Sequence, residues 1–231
     1  MRAVFNAQLA ELECCIEDGL ERAAVSLPSI ADALRVPSPN RVQMITDEAA
    51  LLRRAARSVD CELVIVTARQ TPVASDLRLV LALIEVAHHS VLIANQFDLI
   101  REQLTSIAAA VVARGPAAAR LSAMTHLAGS QLSHAVRAFV SRDLTVAQRI
   151  DIEDDEIDKL NREVFEAAVS LEDVPQQREL ALRHVLIARS VERIADNAVD
   201  IAEQAAFVVT ANRSEFTDAS LPRRRTLRQP F

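Results

Sequence analysis

Apolar residues recur along this chain in alternating steps of three and four, and Pro or Gly interrupts the pattern at intervals. Ile187, Val191, Ile194, Ala198, Ile201, Ala205 and Val208 form one such run. At 3.6 residues per turn that spacing draws a single apolar seam down one side of a helix. Ile157, Leu160, Val164, Ala167 and Leu171 repeat it. Six helices are predicted on this basis: about Arg2 to Leu34, Arg41 to Arg69, Ala74 to Ala113, Ala117 to Ser141, Asp143 to Leu171 and Gln176 to Val209. Pro37, Pro39, Pro72, Gly115-Pro116 and Pro175 fall at the breaks, where a helix must end. Short connections between long helices force antiparallel neighbours. The expected fold is all-α.

The two halves resemble each other. Ile93-Ala94-Asn95-Gln96 aligns without gaps on Ile194-Ala195-Asp196-Asn197, and the same register matches Ile100 to Ile201 and Glu102 to Glu203. Two tandem three-helix bundles are the simplest account. The expected division is 1–114, 115–211 and a disordered tail, 212–231, whose run Pro222-Arg223-Arg224-Arg225 is read as solvated.

Composition narrows the classes of function. Half of the residues are hydrophobic, so the chain can bury a core without staples, and only three are Gly. The net charge of −6 argues against nucleic acid as a partner. Cys14, Cys15 and Cys61 are odd in number and contain no C-x-x-C, which predicts reduced thiols rather than a metal site. Glu11, Glu13, Glu17 and Asp18 come too early for a signal peptide. Leu79 to Ile100 is apolar but carries Glu85, His88, His89 and Asp98, which predicts a buried helix rather than a membrane insertion. The expected setting is cytoplasmic. His88, His89, His126, His134 and His184 are read as surface or interface residues. Without a Gly-rich phosphate loop, a G-x-S-x-G or an H-E-x-x-H, the chain is not expected to be an enzyme.

Two acidic stripes are the candidate chemistry. Glu192, Asp196, Asp200 and Glu203 follow one another at helical spacing, and so do Asp151, Asp155 and Asp158 on the preceding helix. Brought together in a groove they repel, and either a cation or arginines such as Arg189 and Arg193 must balance them. Oxygen-only ligands suit Mg²⁺ or Mn²⁺, with iron or zinc as further choices.

Several segments resemble the PhoU family of phosphate-signalling regulators. They are the opening Met1-Arg2-x-x-Phe5 with Leu9 and Leu12, Gln70-Thr71-Pro72-Val73-Ala74-Ser75-Asp76-Leu77-Arg78, and the acidic Asp154-Asp155-Glu156-Ile157-Asp158-Lys159-Leu160. Glu192-Arg193-Ile194-Ala195-Asp196 is similar to the family's E-R-I-G-D signature, with Ala195 in place of Gly. The resemblance implies a regulator of phosphate uptake, often a homodimer, that contacts a sensor histidine kinase and the ATPase of the phosphate ABC transporter. It also implies a divalent metal (Mg, Mn, Fe or Zn) on Glu192, Asp196, Asp155 and Asp158, with Asp154 and Asp200 as further candidates. In the first half Val91, Asn95 and Arg53 stand where such a site needs carboxylates, and His89 replaces an Asp. Metal is therefore expected in the second repeat only. The alternative is a metal-binding helical adaptor for another transport or signalling system.

Overall fold

The structure, a computed structural model, describes residues 2–36, 38–70, 72–106, 116–170 and 175–212. Its elements are α1 (Arg2–Ser26), α2 (Pro28–Arg35), α3 (Pro39–Arg69), α4 (Ser75–Ser106), α5 (Pro116–Ser141), α6 (Leu144–Ala147), α7 (Ile150–Val169) and α8 (Pro175–Thr210). Among the described residues there is no strand, and six long helices make the two bundles. α1 and α4 pack on α3, and α5 and α7 pack on α8. The bundles are joined by α4 against α8 and by α1 against α5, and one continuous apolar core runs through both.

Two boundaries differ from the sequence expectation. The first helix is not continuous to Leu34: Leu27 is a turn, and a second helix starts at Pro28. Proline has no N–H, so the Ala24 carbonyl loses its α-helical donor and instead accepts from Leu27 N at 3.3 Å. The fifth segment also begins with a separate turn. Asp143 caps α6 by accepting from Thr145 N and Val146 N, and Gln148-Arg149 then turns the chain into α7. Ser38 caps α3 in the same way, accepting from Arg41 N ahead of Pro39 at the first helical position. The expected helix continuation over 107–113 and the expected disorder from 213 onward lie outside the described residues.

The seam of α8 is inward as the spacing required. Ile187, Val191, Ile194, Ala198, Ile201 and Ala205 are all buried. Each fully buried Ile or Val of this seam contributes about 1.5–3 kcal/mol. Where α4 meets α8, three polar contacts fasten them in antiparallel register. Arg78 Nε donates to the Val208 carbonyl at 3.0 Å, His89 Nδ1 donates to Asn197 Oδ1 at 2.9 Å, and Arg183 Nη1 donates to Gln103 Oε1 at 3.2 Å.

His184 corrects the surface reading of the histidines. Its ring is buried, and Nε2 has no hydrogen-bond partner among the described residues. Burial lowers its pKa, because the charged imidazolium is poorly solvated there. It lies one turn before Ile187, on the inward side, where the sequence showed only an isolated titratable residue.

Candidate functional site

The site is built on α7 and α8, which pack side by side. Glu192 is at its centre, with 15% of its side chain exposed. Two groups hold its carboxylate: Asn161 Nδ2 donates to Oε1 at 2.9 Å, and Arg189 Nη1 reaches Oε1 at 2.8 Å and Oε2 at 2.7 Å. Burial raises the Glu192 pKa most. Arg189 pulls it down, the nearby Asp158 carboxylate pushes it up, and Asn161 and Arg193 lower it again. The two acidic helices do therefore bring a carboxylate each into one groove. Asp158 is itself 14% exposed, with Arg162 Nη1 at 3.8 Å.

The other candidates spread outward. Asp155 and Asp196 are exposed. Asp154 accepts from Gln131 Nε2 of α5 at 3.0 Å. Asp200 departs from the sequence expectation. It continues the Glu192 stripe along α8 but turns toward α4, where its Oδ2 is 3.4 Å from His89 Nδ1. Burial raises its pKa, His89 opposes that, and Glu85 of α4 adds to it. The reason is the packing of α8: one edge of its polar side faces α7 and the other faces α4, a division that periodicity along one helix does not reveal.

The oxygen donors suit a hard divalent cation, yet the packing does not preassemble a site. Among the described residues no three His, Cys, Asp or Glu side chains form a group that could hold a metal. Arg189 already neutralises Glu192, and an ion would have to displace it. Its side chain is 56% exposed, so that displacement costs little burial.

The corresponding place in the first half is occupied by a tethered cation. Aligning the buried positions of α3 (Ile45, Leu52, Ala56, Val59) with those of α7 (Ile150, Ile157, Asn161, Val164) puts Arg53 in the place of Asp158. Arg53 Nη2 donates to Asn95 Oδ1 at 3.1 Å and to Asp98 Oδ2 at 2.6 Å. A guanidinium across the α3–α4 groove thus does the bridging that carboxylates and an ion would share. Sequence reasoning named Arg53 and Asn95 at this place but gave Asp98 only as a charge within an apolar stretch. Its signal was visible, since Asp98 lies one turn beyond Asn95 on the same helix.

Comparison with known proteins follows the same lines. Residues 121–205 match the family profile described as "PhoU domain". The chain is 22% identical over 213 residues to the phosphate-specific transport system accessory protein PhoU homolog 1 of Methanothermobacter thermautotrophicus, covering 92% of this chain and 97% of that protein. It is 23% identical over 220 residues to the protein of the same description from Thermotoga maritima, covering 92% of each. The fold matches the crystal structure of the phosphate transport system regulatory protein PhoU from Streptococcus pneumoniae with a TM-score of 0.80 and 18% identity, over 91% of this chain and 99% of that one. The chain thus matches a PhoU domain in its second half, is similar to PhoU homologues over nearly its whole length and has the fold of a PhoU protein.

Proposed function

We propose that this chain is a regulatory accessory protein of a phosphate transport system, acting by contacts with a sensor histidine kinase and with the ATPase subunit of the phosphate ABC transporter. Similarity along almost the entire length to curated accessory proteins of such systems supports this reading most directly. A non-enzymatic role agrees with the site, where the central carboxylate is engaged by Arg189 and Asn161. Deleting the gene should derepress phosphate-starvation genes while phosphate is plentiful, read as reporter expression. Unchanged expression in a strain without a paralogue overturns the reading and favours an adaptor for another system. The replacement of first-half carboxylates by Arg53, Val91 and Asn95 is the observation that favours that second reading.

A divalent ion on the second half belongs to the same proposal, through Glu192, Asp158, Asp155 and Asp196. The double substitution Glu192→Ala/Asp196→Ala should remove metal that dialysed wild-type protein retains, measured by elemental analysis. It should cost about 1 kcal/mol of stability as well, because the buried Asn161 amide loses its acceptor. Equal metal in both proteins, or none in the wild type, overturns the assignment.

A further inference from the structure

His134 stands apart from the other four histidines. Its Nδ1 lies 2.9 Å from both carboxylate oxygens of Glu153, between α5 and α7. A carboxylate only accepts, so Nδ1 carries the proton and the neutral ring keeps its lone pair on Nε2. Among the described residues Nε2 has no hydrogen-bond partner, yet it is not enclosed as the His184 Nε2 is. The ring lines an open cleft of about 480 Å³ where α5 passes the corner between α1 and α2. The other histidines lack this combination. His184 is buried, and His89 Nδ1 is engaged by Asn197 at 2.9 Å. His88 and His126 are exposed, and among the described residues no carboxylate holds either ring.

Helical spacing surrounds that ring with donors. Arg137 is three residues further along α5 and Ser130 four residues back, and both line the same cleft. Both are exposed, and among the described residues neither the Arg137 guanidinium nor the Ser130 hydroxyl has a partner. Glu21 is the carboxylate on the cleft wall, and Ser133 Oγ donates to it at 2.8 Å. A guanidinium fork matches the oxygens of a phosphoryl group two at a time. A free oxyanion beside His134 would meet the Nε2 lone pair, which repels it. A phosphoryl group on its way to Nε2 meets the same lone pair as a nucleophile, with the fork of Arg137 and the hydroxyl of Ser130 beside it.

We infer that His134 is a phosphoryl acceptor, taking the group on Nε2 from a donor that carries it on nitrogen, such as a phosphorylated histidine of another protein. The Nε2 lone pair attacks phosphorus. A new P–N bond forms as the donor's P–N bond breaks, and the donor nitrogen leaves with that electron pair. One P–N bond replaces another, so the exchange needs no further reactant. The Nδ1 proton stays on the ring, and Glu153 offsets the imidazolium charge that develops there. Arg137 binds the oxygens of the arriving group, whose negative charge persists after transfer. Phosphoryl transfer asks a protein for positioning and charge compensation more than for covalent chemistry. Glu153 and Arg137 supply these from opposite sides of the transfer: one acts on the ring, the other on the phosphoryl group. The acceptor role goes beyond the regulatory reading and does not depend on it.

The full-length chain incubated with phosphoramidate, a small donor with the same P–N bond, should gain the mass of one phosphoryl group. Peptide fragmentation should place the group on His134, and His134→Gln should abolish the gain with unchanged helicity by circular dichroism. The exposed His88 and His126 are internal controls. Each should label roughly tenfold more slowly, because neither has a carboxylate to offset the developing charge. Glu153→Gln keeps an acceptor for Nδ1 but removes the charge, and should slow labelling of His134 about tenfold while leaving His126 unchanged. Arg137→Gln should slow it to a similar degree. Unfolding in urea should erase the difference between the histidines. No labelling, or labelling of His134 no faster than that of His126, overturns the inference and leaves His134–Glu153 as an ion pair tying α5 to α7. A His134 rate that neither Glu153→Gln nor Arg137→Gln changes overturns it as well.

Discussion

Phe97→Ala should destabilise the protein by about 3–5 kcal/mol, the range for removing a fully buried aromatic ring. Phe97 is 0% exposed and is among the largest side chains in the core that joins the two bundles. Truncation removes its transfer free energy and leaves a void that the surrounding packing closes only in part. For a chain of this size the melting temperature should fall by roughly 6–20 °C, read from a thermal scan followed by circular dichroism. The loss should appear as one cooperative transition, because the core is continuous through α4 and α8. A fall of less than about 1 kcal/mol would mean that the ring is not packed as described.

Gly129 should tolerate a side chain badly, and for a different reason. A Cβ there would lie 2.8 Å from the Ala24 carbonyl oxygen and 3.6 Å from both Leu27 Cβ and Pro28 Cδ. The obstacle is backbone, at the carbonyl that Pro28 deprives of its helical donor, and it cannot rotate away. Ala gains about 1 kcal/mol of helix propensity over Gly, but overpacking of this kind costs about 1–3 kcal/mol or more. Gly129→Ala should therefore be destabilising by about 1–2 kcal/mol, and Gly129→Val by about 3 kcal/mol or more, since valine adds volume and loses propensity. Urea denaturation gives both values. Gly19→Ala is the control. Its Cβ would meet Leu52 Cδ1 at 3.3 Å, the mobile end of a side chain, and Ala55 Cβ at 3.3 Å, which asks for a shift of a few tenths of an ångström between α1 and α3. That substitution should be close to neutral. Equal effects at the two glycines would remove the close approach of α5 to the α1–α2 corner from the description.

Much of the fold was legible because helical periodicity is a property of each segment by itself. The seam from Ile187 to Ala205 needed no partner to be recognised, and its burial follows from the spacing alone. Pro and Gly marked most breaks for the same local reason. Pro28 escaped notice because it stands inside an otherwise unbroken run, and proline at a first helical position starts a helix as readily as it ends one. The alignment of Asn95 with Asp196 likewise exposed the loss of carboxylates in the first half. That Arg53 bridges Asn95 and Asp98 across two helices became visible only with α3 and α4 placed side by side.

The candidate site divides along the same line. Sequence determined that Glu192 and Asp158 belong to acidic stripes on consecutive helices, since one turn of helix fixes which residues share a face. Only tertiary structure decided that Glu192 is half-enclosed by Asn161 and Arg189 and that Asp200 looks toward His89. It also decided that His184 is buried. The reason is physical: spacing along a helix sets an angle about its own axis, whereas burial and charge depend on which neighbours fill that angle.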